Sequence, residues 1–129
     1  LLQARGRYLE PLPSPGYGGF LAKHSRKGEP LRMLDSFLVA GLIEARSHER
    51  MALLAEHSLE QAFQALYGSS LLSEARHFGL YWLLCEQRWD RSVIVPRLEE
   101  LAQVEVQALS GVLEKPEDVR MHSCGVDVF

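Results

Sequence analysis

Residues 41–51 read GLIEARSHERM, and residues 71–81 read LLSEARHFGLY. Each stretch sets Glu-Ala-Arg and a histidine inside an otherwise apolar segment. On a 3.6-residue period, Phe37, Gly41, Glu44, His48, Met51 and Ala55 fall on one helical stripe, while Phe63, Leu66, Ser70, Glu74, His77, Tyr81 and Leu84 fall on another. The acids and imidazoles therefore point where a core belongs. An isolated buried carboxylate costs many kcal/mol unless it is paired, protonated or bound to a metal. Two readings meet that cost. In one, Glu44 and Glu74 form ion pairs with Arg46, Arg50 or Arg76 inside a helical bundle. In the other, Glu74-x-x-His77 puts a carboxylate and an imidazole one turn apart on one face, and Glu44 on a facing helix completes or bridges a metal pair. Oxygen and imidazole ligands of this kind suit iron or manganese.

Working outward from the two stretches, apolar residues recur at three- and four-residue spacings from Leu34 to Leu53, and Pro30 suits a first helical turn, which predicts a helix over 31–56. Ser58 and Gln61 have the form of a capping box before a second helix over 59–87. Asp90 or Ser92 is placed to cap a third, with Pro96 in its first turn and its end near Leu113. Residues 10–20, EPLPSPGYGGF, carry three prolines and three glycines and read as a loop. Alternation of period two is absent, so the expected class is all-α. The expected organisation is a single domain over 1–129, with a Pro/Gly-rich basic loop over 1–30 and a tail over 114–129.

At 129 residues and 47% hydrophobic, the chain is sized to bury one core. No apolar run approaches the ~20 residues a membrane span needs. The N-terminus lacks the basic, apolar and small-residue order of a secretion signal. Two cysteines, Cys85 and Cys124, make no disulfide framework. The expected setting is a reducing cytoplasm. Charge is unevenly spread: residues 1–32 hold six Lys/Arg against two acids, and the remainder holds eight against fifteen. A polyanion would be steered to the basic end, although a net charge of −3 argues against broad non-specific nucleic-acid binding. His24, His57 and His122 acquire no role from their spacing, and Met33, Met51, Trp82 and Trp89 read most simply as core.

FLVAGLIEARSHERM over 37–51 and LLSEARHFGLYWLL over 71–84 closely resemble the paired signature of the tRNA-(2-methylthio-isopentenyl-adenosine) hydroxylase family, LLVAALIEARSCERF followed by SEARHF. EPLRMLDSF over 29–37, VRMHSCG over 119–125 and the N-terminal LLQARG are similar to that family too. The resemblance implies a ferritin-like four-helix bundle, of which this chain supplies the C-terminal half and one further helix. It implies a non-haem di-iron centre, two irons per complete bundle, and dioxygen-dependent hydroxylation of an isopentenyl side chain beside the tRNA anticodon. Carried over by motif, Glu44, Glu74 and His77 are iron ligands, and no residue is assigned a separate catalytic role. His48 stands where the family usually shows cysteine. Arg46, Arg50 and Arg76, with His48, are expected around the ligands.

Partners implied are the tRNA anticodon loop and an electron donor. Arg5, Arg7, Lys23, Arg26 and Lys27 are the expected phosphate contacts, with Tyr8, Tyr17 and Phe20 as stacking residues. The helices that would supply three further ligands are not in this sequence, so the expectation is either a longer protein of which this is the later part or two chains that pair to restore the ligand count. Two other classes fit the same residues: a non-catalytic helical interaction module, and a di-iron oxidase acting on a small molecule.

Overall fold

The computed structural model describes Gly6 and residues 16–114, apart from the side chains of Leu72, Glu74, Val112 and Leu113. Among these residues the secondary structure is helical throughout: α1 (Gly16–Lys23), α2 (Leu31–His57), α3 (Gln61–Glu86) and α4 (Arg91–Glu114). The three long helices start and stop within about two residues of their expected ends. No described helix is long and apolar enough to cross a membrane.

Helices α2 and α3, at 27 and 26 residues, run roughly 40 Å each and form a hairpin packed along its length. The turn between them differs in detail from a capping box. Ser58 closes α2 through its N–H to the Leu54 carbonyl, Glu60 occupies the N-cap of α3 without a side-chain bond, and the Gln64 amide reaches back to the Ser58 carbonyl. Pro96 lies in the second turn of α4, which begins as Asp90 accepts from the Val93 and Ile94 N–H groups. Helix α4 covers the first half of α2 and the end of α3, where Leu34, Leu38, Cys85, Ile94 and Leu101 form a fully buried cluster. Burial in that cluster pushes the Cys85 thiol up.

Residues 10–20 do not read through as a loop, because Gly16 opens α1. Three glycines in that helix each cost about 1 kcal/mol relative to alanine, so propensity does not explain it. Docking does. Tyr17 and Leu21, one turn apart, are buried against Ala108 and Leu109 of α4, and the Tyr17 hydroxyl donates to the buried Glu105 carboxylate at 2.6 Å. Tyr17 is thereby a core residue and Phe20 packs on the same cluster, which takes both away from the stacking role expected of them. Tyr8, Arg5 and Arg7 lie outside the described residues.

A second buried carboxylate fastens the α1–α2 connection. Asp35, with 0% of its surface exposed, accepts from the Arg26 backbone N–H at 2.8 Å, from the Arg26 guanidinium at 2.7 Å and from Arg97 of α4 at 2.8 Å. Arg97 also donates to the His24 carbonyl. Burial pushes the Asp35 carboxyl up, but the hydrogen bonds from Arg97 and Arg26 outweigh it and hold the group well below the usual carboxylate range. The same bond to Asp35 raises the Arg97 guanidinium.

Candidate metal centre

Packing α2 on α3 brings the two opening stretches face to face. Gly41 leaves room for this approach: a Cβ there would stand 3.8 Å from the Tyr81 Cβ. One turn along, Glu44 Oε2 lies 3.7 Å from His77 Nδ1. That separation is too long for a hydrogen bond. Two ligands with bonds of about 2.1 Å to one cation stand roughly 3–3.5 Å apart, so a small adjustment of either side chain seats both on one ion. Glu44 retains 25% of its side-chain surface and His77 53%. Their donors are a carboxylate oxygen and an imidazole nitrogen, a set that fits iron.

Glu74 sits one turn before His77 on α3, and its side chain lies outside the described residues. Two of the three expected ligands are therefore seen together. No group of three or more His, Cys, Asp or Glu arranged for a metal occurs among the described residues.

Arg46 does not turn toward this pair. Its guanidinium reaches Glu49 at 2.6 Å and Glu105 at 3.5 Å, and its buried Nε has no hydrogen-bond acceptor. Burial pushes the Glu105 carboxyl up, against the lowering influence of Tyr17 and Arg46. The expectation that Arg46 supports the ligands is thus replaced by a link between α2, α4 and α1. Arg76 is exposed on α3, and Arg50 and His48 are half-buried on α2.

Beside the Glu44–His77 pair is an apolar cavity of about 260 Å³ between α2, α3 and α4. Phe37, Gly41, Phe78, Tyr81 and Trp82 are among its walls. Gly41 and Ala45 bracket Glu44 in sequence, and Phe78 follows His77, so the cavity and the ligand pair are separated by about one helical turn.

The basic residues divide. Arg26 is bound to Asp35 and serves the fold, a use that charge counting does not reveal. Lys23 and Lys27 are exposed, with the Lys27 ammonium donating to the Ala22 carbonyl. Sequence reading missed Asp35, Arg97, Tyr17 and Glu105 as a set, because each pair joins residues at least nine positions apart.

Comparison with known proteins bears on what this geometry is for. The family described as tRNA-(MS[2]IO[6]A)-hydroxylase (MiaE) matches residues 1–123. The chain belongs to this family. It is 32% identical over 124 residues to the tRNA 2-(methylsulfanyl)-N(6)-isopentenyladenosine(37) hydroxylase of Pseudomonas putida, covering 95% of this chain and 58% of that protein. The Salmonella typhimurium protein of the same name is 33% identical over 123 residues, covering 95% and 44%. The chain thus spans about half the length of the curated relatives it matches. Among solved structures, "Protein 43 with aldehyde deformylating oxygenase activity from Synechococcus" superposes with a TM-score of 0.90 at 74% identity, over 98% of this chain and 63% of that one. The fold is all-α and ferritin-like.

Proposed function

We propose that this chain contributes half the ligands of a di-iron centre that hydroxylates the isopentenyl side chain of 2-methylthio-isopentenyl-adenosine in tRNA, with dioxygen as co-substrate. The supporting observation is the Glu44–His77 pair facing across α2 and α3 beside an apolar cavity, in a chain whose relatives bear that activity in their names. Glu44, Glu74 and His77 hold the metal. Iron bound there would supply the activation of dioxygen that an unreactive allylic methyl requires. The remaining tasks fall to the chain's own residues. Phe37, Phe78, Tyr81 and Trp82 take the prenyl group by apolar contact and keep water from the reacting carbon. Half-exposure of His77 leaves that end of the site open to a base extruded from an RNA loop. Electrons come from a separate donor.

The test is to incubate the iron-loaded protein with prenylated tRNA, a reductant and dioxygen, and to weigh the digested nucleosides. A prenyl-adenosine one oxygen atom heavier is expected. Fully loaded iron with an unaltered nucleoside would overturn the reading. A second reading has its own observation: the 74% identity to a protein named for aldehyde deformylating oxygenase activity. The same cavity accepts an alkyl chain. Consumption of a fatty aldehyde with release of formate, and no change in the nucleoside, would select it.

A further inference from the structure

We propose that the groove between α1, the turn over residues 24–30 and the first half of α2 is a cradle for the RNA backbone, with Lys27 and Arg32 as its two phosphate-contacting cations. The proposal rests on the tRNA reading above and gives it a binding surface. The groove holds about 350 Å³, near the lower end of the ~300–1,000 Å³ usual for ligand sites. Arg26, Lys27 and Arg32 line its rim, and Val39, Ala40 and Ile43 form its far wall. Not every cation there is available. Arg26 is held by Asp35 and forms a wall. Lys27 gives one donor to the Ala22 carbonyl and keeps two of its three. The Arg32 guanidinium makes no hydrogen bond or ion pair with any described residue and is exposed.

The acids nearby are already engaged. Asp35 is paired with Arg26 and Arg97, and Glu29 accepts the Met33 N–H at the start of α2. The hydroxyls of Ser25 and Ser36 donate to the Leu21 and Arg32 carbonyls, so Lys27 and Arg32 supply the free donors. An anion entering the groove therefore meets two positive side chains, with the Asp35 charge met by Arg26 and Arg97 and the Glu29 carboxylate turned to the first turn of α2. Position links groove and centre. Ala40, on the groove wall, precedes Glu44 by one turn, about 6 Å along α2. Arg32 lies about 18 Å from Glu44 along the same axis, the length of roughly five stacked nucleotides. One RNA loop can lie with a phosphate on Lys27 and Arg32 and its target base at Glu44 and His77.

The test measures affinity of the iron-loaded protein for an anticodon stem-loop RNA, with and without the prenyl group, against salt concentration. Lys27→Ala with Arg32→Ala should weaken both RNAs equally, by roughly tenfold, and lower the log–log salt slope by about 1.4, or 0.7 for each lost phosphate contact. Arg91→Ala removes one positive charge at the start of α4, outside the groove, and should leave the slope unchanged. Lys27→Arg with Arg32→Lys should restore it. An unchanged slope in the double variant overturns the cradle, as does a loss in Arg91→Ala as large per charge removed, which would mean net charge alone. Inorganic phosphate that displaces no RNA from wild type at excess, while the double variant still loses RNA, supports a backbone site over a free-phosphate site; phosphate binding without any RNA binding overturns it. Loss of RNA affinity in the double variant of a protein that leaves prenyl-adenosine unaltered would uphold the groove and sink only the hydroxylase reading.

Discussion

Asp35 and Glu44 are nine residues apart on α2, and both are carboxylates on a largely apolar helix. Their surroundings are opposite. Asp35 lies under α4 with no exposed surface, and two guanidiniums and a backbone N–H meet its charge inside the chain. Glu44 is part-exposed, with an imidazole nitrogen from α3 at 3.7 Å. A carboxylate fully matched by arginines has no coordination to offer and belongs to the fold. One that faces an imidazole nitrogen across a helix pair is placed to share a cation.

The widest separation between the two regions should appear in stability. Asp35→Ala leaves Arg26 and Arg97 without their shared anion and is expected to cost about 3–5 kcal/mol in chemical denaturation. Glu44→Ala, measured without iron, is expected to stay within about 1 kcal/mol of wild type. Equal costs would erase the contrast. The converse holds for metal content. Glu44→Ala or His77→Ala should lower iron affinity by more than the ~10–100-fold that loss of a supporting residue costs, read as iron per chain after dialysis; wild-type iron in both variants would remove the ligand assignment.

Two smaller effects sharpen the picture. Asp35 is held below the ordinary carboxylate range, so its contribution is fully present above the unfolded pKa, about 4, and is lost as pH falls below it. The stability gap between wild type and Asp35→Asn should therefore be largest near neutrality and narrow in acid. Glu105, raised by burial, has the opposite sign: its contribution is present at low pH and lost as pH rises through its raised pKa. Glu105→Gln should gain on wild type as pH rises, and a fixed difference across pH would contradict the burial argument. The smallest effect concerns Gly41. Alanine there meets Tyr81 at ordinary contact distance, so helix propensity should dominate and raise stability by about 0.5–1 kcal/mol. A loss would show that α2 and α3 need to approach more closely.

The exposed apolar residues follow the same division. Leu66, Phe78, Leu80 and Leu83 are exposed on α3, whereas α2 keeps Leu34 and Leu38 under α4. Helix α3 is apolar on more than one face, a pattern of helices enclosed on all sides.

Sequence alone determined the three long helices, because their apolar residues repeat at the helical period and proline, glycine and polar residues interrupt them. It also determined the shared stripe of Glu44, and of Glu74 and His77, since spacing within one helix is local geometry. Tertiary structure decided the rest. Helix α1 exists because Tyr17 and Leu21 find α4, against the preference of its glycines. Charge and proximity in sequence point Arg26 to RNA and Arg46 to the ligands, and the fold commits them to Asp35, Glu49 and Glu105 instead. A guanidinium bonds to whichever carboxylate packing brings within about 3 Å, and for Asp35 and Glu105 those partners come from other helices or the connections between them, at separations that no helical period encodes.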